Sequence, residues 1–219
     1  MDSLNDFLIQ KPRPLPVVIA IDRSGSMSEN GKIDALNIAL KDFIDSIKEE
    51  DSNKAEIHIG LYSFGGDNAT CDMPLTSSNQ VSAPAYQAQG KTPMGGVFTL
   101  LKELIEDKSL IPSRSYKPTI VLLTDGLPTD EWQKPMTELI NEGRSSKAFR
   151  IAMAIGDDAD KNMLSKFVST PDYLVTGENA RDIRKFFRFV TMSVTQRMKS
   201  QTPDMQQVPQ MPEDDTLDF

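Results

Sequence analysis

Val17-Val18-Ile19-Ala20-Ile21-Asp22-Arg23-Ser24-Gly25-Ser26-Met27-Ser28 is the stretch that decides the fold. It begins with five consecutive apolar residues, rich in β-branched side chains, a composition typical of a strand covered on both faces. It then turns abruptly polar, so an aspartate and several serines stand at the carboxyl end of that strand. In an open α/β sheet, ligands bind at this edge. The stretch therefore predicts a buried strand that leads directly into a binding site.

Apolar runs and helical patterns alternate along the rest of the chain. Runs bounded by turn residues predict strands at 17–21, 56–64, 119–124, 149–155 and 173–175, with 69–75 returning as the second arm of a hairpin. Apolar residues at helical spacing predict helices at 32–50, from 93 onward, at 135–141, at 161–167 and from about 179. This order predicts an α/β fold: a doubly wound, mostly parallel sheet flanked by helices, with one antiparallel edge hairpin.

Three regions are expected along the chain. Prolines interrupt regular structure near its start, so residues 1–14 are expected to form an N-terminal arm. The folded domain should then cover residues 15–199. The remaining residues, 200–219, carry five acidic side chains and no basic side chain. We expect this acidic tail to be flexible or bound to a partner.

The composition excludes several classes of protein. Of 219 residues, 24 are lysine or arginine and 32 are aspartate or glutamate, which gives a formal net charge of −8. An acidic chain without a basic stripe is not a general nucleic-acid binder. Cys71 has no second cysteine to pair with, and no apolar run approaches the roughly 20 residues that span a bilayer. The acidic amino-terminal sequence lacks a secretion signal, so we expect a cytoplasmic protein with no membrane or nucleic-acid partner.

Oxygen-bearing side chains follow three separate segments of the predicted sheet. The first strand is followed by Asp22, Ser24 and Ser26. Thr92 stands just before a helix, and Asp125 directly follows the most apolar strand. Because the strand ends of such a sheet converge on one crevice, we expect these five residues to share a site. Three hydroxyls and two carboxylates suit a hard divalent cation, Mg²⁺ or a close substitute such as Mn²⁺ or Ca²⁺. The alternative is ordinary capping of backbone amides at strand-to-helix turns.

The order of these residues resembles the von Willebrand factor A (vWA) domain family. An Asp-x-Ser-x-Ser motif at 22–26, a Gly-x-Thr-Pro-x-Gly loop at 90–95 and Thr-Asp-Gly at 124–126 carry the resemblance. It covers about residues 15–195 and implies a Rossmann-like vWA fold with a metal-ion-dependent adhesion site (MIDAS). It also implies that the hydroxyls ligate the metal directly, while one or both aspartates act partly through water. A glutamate or aspartate of a partner protein would then complete the coordination.

A narrower resemblance points to the TerY group of bacterial tellurium-resistance proteins. Four segments carry it: Pro16–Met27, Gly90–Gly95, Leu123–Asp130 and Ala154–Asp160. Lys91 stands where a glycine is common in the threonine loop, which is a minor departure. The resemblance implies a signalling or scaffold role in a stress-response or phage-defence system. Its implied partners are a metal-dependent (PP2C-type) protein phosphatase and a serine/threonine kinase-like protein.

Two enzyme families use similar sequence elements. A haloacid-dehalogenase-like phosphatase also places an aspartate after its first strand, but it needs a general-acid aspartate two residues later, where this chain has Ser24. Gly90-Lys91-Thr92 ends like a phosphate-binding loop, yet Ala85 stands where that motif needs glycine. We therefore expect a binding protein, not an enzyme, with no catalytic residues. A Mg²⁺-dependent hydrolase and an assembly subunit of an AAA+ ATPase complex are the alternatives.

Four further residues bear on the site and its surroundings. Met27 and Met94 flank it, either as a soft contact surface for a partner or as packing. Asp130 either contacts the site or caps a turn or helix. Cys71 is expected to be a small apolar residue within the hairpin strand.

Overall fold

The computed structural model describes residues 12–49, 55–205 and 208–210. Its strands are β1 (Arg13–Asp22), β2 (Ala55–Gly65), β3 (Asn68–Ser77), β4 (Thr119–Thr124), β5 (Phe149–Ile155) and β6 (Leu174–Gly177). Its α-helices are α1 (Lys32–Lys48), α2 (Met94–Glu106), α3 (Gln133–Asn141), α4 (Lys161–Phe167) and α5 (Ala180–Lys199). Each predicted strand and helix has a counterpart. None of the helices in the described part of the chain combines the length and apolarity that a membrane-spanning segment needs.

The strands form one six-stranded sheet in the order β3-β2-β1-β4-β5-β6. Neighbouring strands are parallel except β3, which pairs with β2 antiparallel at one edge. The predicted doubly wound, mostly parallel sheet with one antiparallel edge hairpin is therefore confirmed. β1 is central, since Ile19 is paired with Leu61 of β2 and with Val121 of β4. Strands on both sides and helices on both faces explain why Val17–Ile21 carries only apolar side chains.

β1 begins at Arg13, earlier than the strand predicted from Val17. Its first residues pair with β2 only, since the ladder to β4 starts at Val17. The carbonyl of Pro14 accepts a hydrogen bond from the backbone N–H of Tyr116, which precedes β4 (2.9 Å). The carbonyl of Pro14 therefore faces away from β2. The N–H that proline lacks would face the same way, so no hydrogen bond between β1 and β2 is lost. The predicted arm is thus too long, because Arg13 and Pro14 belong to the strand; residues 1–11 lie outside the described residues.

Helices cover the two faces of the sheet. α1 packs against α5, with the rings of Phe43 and Phe187 5.7 Å apart. α2 packs against α3, and Phe98 of α2 stacks on Phe167 of α4 with 5.7 Å between ring centres. The connection from β1 to β2 and the later connections from β3 to β4 and onward run in opposite directions along the sheet, so right-handed crossovers place α1 on one face and α2, α3 and α4 on the other. The sheet is therefore the middle layer of a three-layer domain.

The strand order reverses beside β1. Along the chain, β2 is added on one side of β1 and β4 on the other. In a doubly wound sheet, a crevice forms at this switch point, outside the carboxyl ends of the strands. β1 ends at Asp22 and β4 ends at Thr124, so the polar loops after both strands meet at this crevice.

A buried arginine lies at the opposite, amino-terminal edge of the sheet. Arg197 in the last turn of α5 is 3% exposed, and its guanidinium lies 4.0 Å from the ring centre of Phe149. It donates hydrogen bonds to the carbonyls of Pro203 (2.9 Å) and Lys117 (2.8 Å) and to the hydroxyl of Thr119. Burial lowers the pKa of Arg197 to about 10, and the guanidinium stays charged.

The segment after α5 folds back to complete this arginine site. Asp204 lies 3.7 Å from the guanidinium of Arg197 and accepts a hydrogen bond from the backbone N–H of Lys117 (2.8 Å). Val208 packs against the core. The beginning of the predicted acidic tail, 200–219, therefore contacts the domain. Residues 206, 207 and 211–219 lie outside the described residues.

Candidate metal centre

The structure brings the five predicted residues together at the carboxyl edge of the sheet. Asp22 is the last residue of β1, and Ser24 and Ser26 lie in the turn that follows it. Thr92 lies just before α2, and Asp125 directly follows β4. Four of the five are buried, and Ser26 is half-buried. The loops after two parallel strands and before one helix thus build a single polar cluster.

Asp22 is fully buried, and each of its carboxylate oxygens accepts a hydrogen bond. The backbone N–H of Ser24 donates to Oδ1 (2.8 Å), and the hydroxyl of Thr124 donates to Oδ2 (2.6 Å). Burial raises the pKa of Asp22 to about 6, although the hydrogen bonds from Thr124 and Ser24 lower it, and the nearby Asp125 raises it further. A cation at this position would offset the cost of burying the charge.

A chain of hydrogen bonds joins the two serines to Asp125. The hydroxyl oxygens of Ser24 and Ser26 lie 3.1 Å apart, and the hydroxyl of Ser26 donates to Oδ1 of Asp125 (2.7 Å). Nζ of Lys32 donates to Oδ2 of the same carboxylate (2.8 Å). Because Ser26 gives its hydrogen to Asp125, the lone pairs of its oxygen are directed elsewhere, as a metal ligand requires.

Thr92 reaches the same space from another loop. A Cβ built on Gly126 would lie 3.7 Å from Oγ1 of Thr92 and 3.9 Å from Oγ of Ser26, so both hydroxyls border one small space. The glycine leaves open a position that a side chain would fill. Two hydrogen bonds with Thr129 fix the backbone of Thr92. The N–H of Thr92 donates to the hydroxyl of Thr129, and the N–H of Thr129 donates to the carbonyl of Thr92, both at 3.0 Å.

Asp130 ties the loop after β4 to the start of α2. Its two carboxylate oxygens accept hydrogen bonds from the backbone N–H groups of Gly95 (2.8 Å) and Gly96 (3.0 Å). Position 95 requires glycine, because a Cβ there would collide with the carbonyl of Glu131. Of the two interpretations of Asp130, helix capping is therefore the one that the structure shows. The cap also anchors the loop that carries Thr92.

The loop after β1 is joined directly to the threonine loop. The backbone N–H of Gly25 donates to the carbonyl of Gly90 (2.9 Å), and the N–H of Gln89 donates to the carbonyl of Arg23 (2.7 Å). Gly90 has a φ of 63°, and a Cβ there would lie 2.5 Å from Cα of Gly66. Only glycine therefore suits this close crossing of two loops. The polar cluster is held in place by backbone contacts among all three loops.

The set of possible ligand atoms fits a hard divalent cation. It consists of hydroxyl and carboxylate oxygens, the ligands that Mg²⁺, Mn²⁺ and Ca²⁺ prefer. Across residues 12–49, 55–205 and 208–210, no group of three or more His, Cys, Asp or Glu side chains is arranged to hold a metal. A cation in this cluster would therefore depend on hydroxyls as much as on carboxylates. A cation with few charged ligands attracts a further anionic oxygen strongly.

Three residues of the cluster were missed by the sequence predictions. Thr124 bonds to Asp22, Thr129 holds the backbone of Thr92, and Lys32 pairs with Asp125. Lys32 had a sign in the sequence, because a lysine at the first position of a helix opposes the helix dipole. Thr124 stands in the Thr-Asp-Gly motif, but its bond to Asp22 joins the ends of two strands and is seen only in the folded chain. Thr129 acts through a contact between two segments, which also only the folded chain shows.

The surroundings of the cluster decide one open alternative and correct one expectation. Met27 and Met94 are fully buried, so they pack and do not form a contact surface. Leu127, two residues after Asp125, is instead the exposed apolar side chain beside the cluster, at 62% exposure. Cys71 is exposed and does not pack as a small apolar residue, because no side chain of the edge strand β3 is buried.

A family model decides the classification of this fold. The model of the von Willebrand factor type A domain matches residues 17–189. This chain belongs to the vWA family. The predicted family is thereby confirmed, and the candidate metal centre lies within the matched region. No curated protein shows a significant match to this chain.

Solved structures share the vWA fold with little sequence identity. Proximal thread matrix protein 1 (PTMP1) from the mussel byssus, with a zinc-occupied MIDAS motif, is 15% identical; the match covers 84% of this chain and 48% of PTMP1, with a TM-score of 0.62. The pilus adhesin SpaC from Lactobacillus rhamnosus GG is 16% identical, over 86% of this chain and 31% of SpaC, with a TM-score of 0.68. The vWF domain of the type V pili tip protein Mfa5 from Porphyromonas gingivalis is 12% identical, over 86% and 97%, with a TM-score of 0.65.

At these identities the likeness shows the fold alone. The chain spans 48% of PTMP1 and 31% of SpaC, which is half or less of the length of these relatives. Nothing in these matches separates the TerY group from other vWA proteins.

Proposed function

We propose that this chain is a metal-dependent protein–protein interaction module with no enzymatic activity. vWA domains commonly mediate protein interaction or adhesion, and one observation supports a metal-dependent form of it here. Three hydroxyls and two carboxylates from three loops meet at the carboxyl edge of the sheet. Ser24, Ser26 and Thr92 would hold Mg²⁺ or a substitute such as Mn²⁺ or Ca²⁺ directly, supported by Asp22 and Asp125.

The hydrogen bonds support this division of roles. Every carboxylate oxygen of Asp22 and Asp125 already accepts a hydrogen bond within the protein. The hydroxyl of Ser26 donates to Asp125, and its oxygen remains an acceptor. The bound cation would supply a Lewis-acidic position that takes up one more oxygen ligand. An aspartate or glutamate of a partner protein is the ligand with the chemistry to occupy it.

The rim of the centre offers contacts to residues that flank such a carboxylate. Leu127 is an exposed apolar side chain directly after the β4 loop residues of the centre. Lys91, on the neighbouring loop, has a side chain that is 74% exposed. Arg23 directly follows β1, and its Nε donates to the hydroxyl of Ser63 in β2 (3.1 Å). A partner segment that combines acidic residues with one apolar residue would match this rim.

The arrangement argues against hydrolysis. Position 24, where a phosphatase of the haloacid-dehalogenase type needs a general acid, carries a serine whose hydroxyl lies beside that of Ser26. The one histidine of the chain, His58, lies in the amino-terminal half of β2, away from the carboxyl edge. The described residues of the centre therefore include no histidine, and no carboxyl group stands at the position where such a phosphatase needs its general acid.

A TerY-like role is the finer part of the proposal. It rests on the four sequence segments that resemble that group, all of which border the carboxyl edge of the sheet. Under this proposal the partners are a PP2C-type phosphatase and a serine/threonine kinase-like protein in a bacterial stress-response or phage-defence system. Co-purification of those two proteins with this chain, lost in EDTA, would support the role. Their presence in EDTA would contradict it.

The metal centre itself is tested with Thr92→Ala. This variant loses one hydroxyl ligand, so the affinity for Mg²⁺ or Mn²⁺ should fall at least about ten-fold by isothermal titration calorimetry. The free energy of unfolding in EDTA should change by no more than about 1 kcal/mol, since one methyl and one hydroxyl are removed. Thr99→Ala, further along α2, is the control, because the Thr99 hydroxyl bonds to the carbonyl of Gly95 within the helix.

Two results would contradict the proposal. Equal metal affinity in Thr92→Ala and in the unchanged protein would show that the hydroxyl is not a ligand. Hydrolysis of p-nitrophenyl phosphate by the purified protein, lost in Asp22→Asn, would show that the centre is catalytic.

A further inference from the structure

Lys32 is an unusual neighbour for the metal centre. Its Nζ lies 2.8 Å from Oδ2 of Asp125, and the two side chains are 11% and 0% exposed. Lysine is among the side chains least often buried, and here it is drawn inward to a single carboxylate. The pair is thus an enclosed ion pair and not a contact of two solvated surface groups.

The position of Lys32 on its helix is also unfavourable. It is the first residue of α1, directly after Gly31, whose φ of 69° sets the turn into the helix. The positive end of the helix dipole lies here, so an acidic residue such as Asp34 suits this turn and a lysine does not. Residues that break such a local preference are concentrated at functional sites. Position alone does not indicate a role, because the exposed Lys161 also begins a helix. Burial against Asp125 at that position does indicate a role in the neighbouring centre.

The charges of the centre show what that role is. Asp22 and Asp125 bring two negative charges, and Lys32 cancels one of them. A divalent cation would leave the group with one net positive charge when Lys32 is present, and with none when it is replaced by a neutral residue. We propose that Lys32 sets the charge of the metal centre so that the loaded centre selects a carboxylate of the partner over a neutral oxygen. This inference rests on the proposed function.

Lys32 can do this without being a ligand. An ammonium group has donors only and no lone pair for a metal. It occupies Oδ2 of Asp125, while Oδ1 accepts from Ser26, so the ion pair leaves the hydrogen bond to Ser26 intact. Lys32 therefore acts through Asp125 as a residue that determines specificity.

Three variants of Lys32 separate its charge from its hydrogen bond. Lys32→Met removes both, Lys32→Gln keeps a neutral donor, and Lys32→Arg keeps the charge. Lys161→Met is the matched control, because Lys161 is likewise the first residue of a helix, α4. Its Nζ lies 3.2 Å from a carboxylate oxygen of Asp157. Mn²⁺ is the probe of the centre, and acetate is the probe of its open position.

Mn²⁺ affinity is measured by titration calorimetry. Acetate binding to the Mn²⁺-saturated protein is measured by water-proton relaxation, which reports the loss of metal-bound water. The Met and Gln variants should bind Mn²⁺ about three- to ten-fold more tightly, because a positive charge near the cation is removed. They should bind acetate about ten-fold more weakly, because the loaded centre is then neutral. Lys32→Arg and Lys161→Met should match the unchanged protein in both measurements.

The outcomes distinguish this inference from the proposed function. If the unchanged protein binds no Mn²⁺, both are overturned. If it binds Mn²⁺ and acetate, but the Met and Gln variants bind acetate equally well, the assignment of Lys32 alone is overturned. A lower melting temperature of these variants in EDTA, with unaltered acetate binding, would make Lys32 a structural ion pair only and would also overturn it. If Lys32→Met does not fold, Lys32→Gln decides the question.

Discussion

Two buried polar networks lie at opposite ends of the same sheet, and they use their hydrogen-bonding groups differently. At the amino edge, the guanidinium of Arg197 directs its donors at acceptors of the chain and rests on the ring of Phe149. At the carboxyl edge, the hydroxyls of Ser26 and Thr92 border a space that Gly126 leaves open. The first network is completed by the chain itself, and for the second we propose that a bound cation completes it.

The difference separates a structural network from a binding one. A polar group inside a protein costs free energy unless it is hydrogen-bonded, and Arg197 meets that condition with contacts of its own chain. The carboxylate oxygens of the candidate metal centre are hydrogen-bonded as well, but burial still raises the pKa of Asp22 to about 6, so its hydrogen bonds do not fully offset the cost of burying its charge. Removing a residue should therefore cost stability at the amino edge and metal affinity at the carboxyl edge.

The largest effect is expected for Arg197→Met. The change leaves the carbonyls of Pro203 and Lys117 without their donor, removes the contact with Phe149 and unpairs Asp204. The free energy of unfolding, measured with urea, should fall by about 3 kcal/mol. Mn²⁺ affinity of the folded variant should stay the same. A loss of affinity would mean that the two edges are coupled and the comparison fails.

Arg188→Met is the control for this change. Arg188 lies on the same helix and is exposed, so its substitution should alter the free energy of unfolding by no more than about 0.5 kcal/mol. Equal losses in the two variants would show that the buried network contributes nothing specific.

A pair of truncations should have a smaller effect on the same network. Deleting residues 201–219 removes the Pro203 carbonyl and Asp204, whereas deleting residues 211–219 leaves both in place. The longer deletion should be less stable than the shorter one by about 2 kcal/mol, because Arg197 loses two of its partners. The loss is smaller than for Arg197→Met, because Arg197 keeps its contacts to Lys117 and Thr119 in both truncations. Thermal and urea unfolding measure the difference. Equal stability would show that the segment after α5 does not help to close the amino edge.

The two edges also differed in how far the sequence predicted them. The centre was predictable because its chemistry is local: Asp22, Ser24 and Ser26 stand together after an apolar strand. Parallel strands then bring the loop of Asp125 to the same edge. The order of the motifs along the chain added Thr92 to the set. Apolar spacing predicted most of the strands and helices, although not the start of β1.

The network at the amino edge could not be predicted, because each partner of Arg197 has an ordinary sequence context. One basic residue in a basic helix, 181–199, gives no sign of burial until α5 is placed against the starts of β4 and β5. Lys32 differs in this respect, since its place at a helix start conflicts with the dipole. The early start of β1 was missed for a different reason. Whether Pro14 disrupts the strand depends on which neighbouring strand the backbone of residue 14 faces, and the sequence does not show this.

The smallest effect is expected for Asp130→Ala, and it tests whether the open network is held in position by its neighbours. The variant removes the acceptor of the Gly95 and Gly96 amides and so loosens the loop before α2. The loss should be about 1 kcal/mol of stability and up to about ten-fold in Mn²⁺ affinity, because the segment that carries Thr92 loses one of its anchors. Asp160→Ala removes a comparable cap, from the amide of Met163 in α4, and lies outside the threonine loop. If both variants lose stability but only Asp130→Ala loses affinity, the cap acts on the centre through Thr92. If neither variant loses Mn²⁺ affinity, the hydroxyl of Thr92 stays in position without the cap. The metal centre would then depend less on neighbouring contacts than the Arg197 network does.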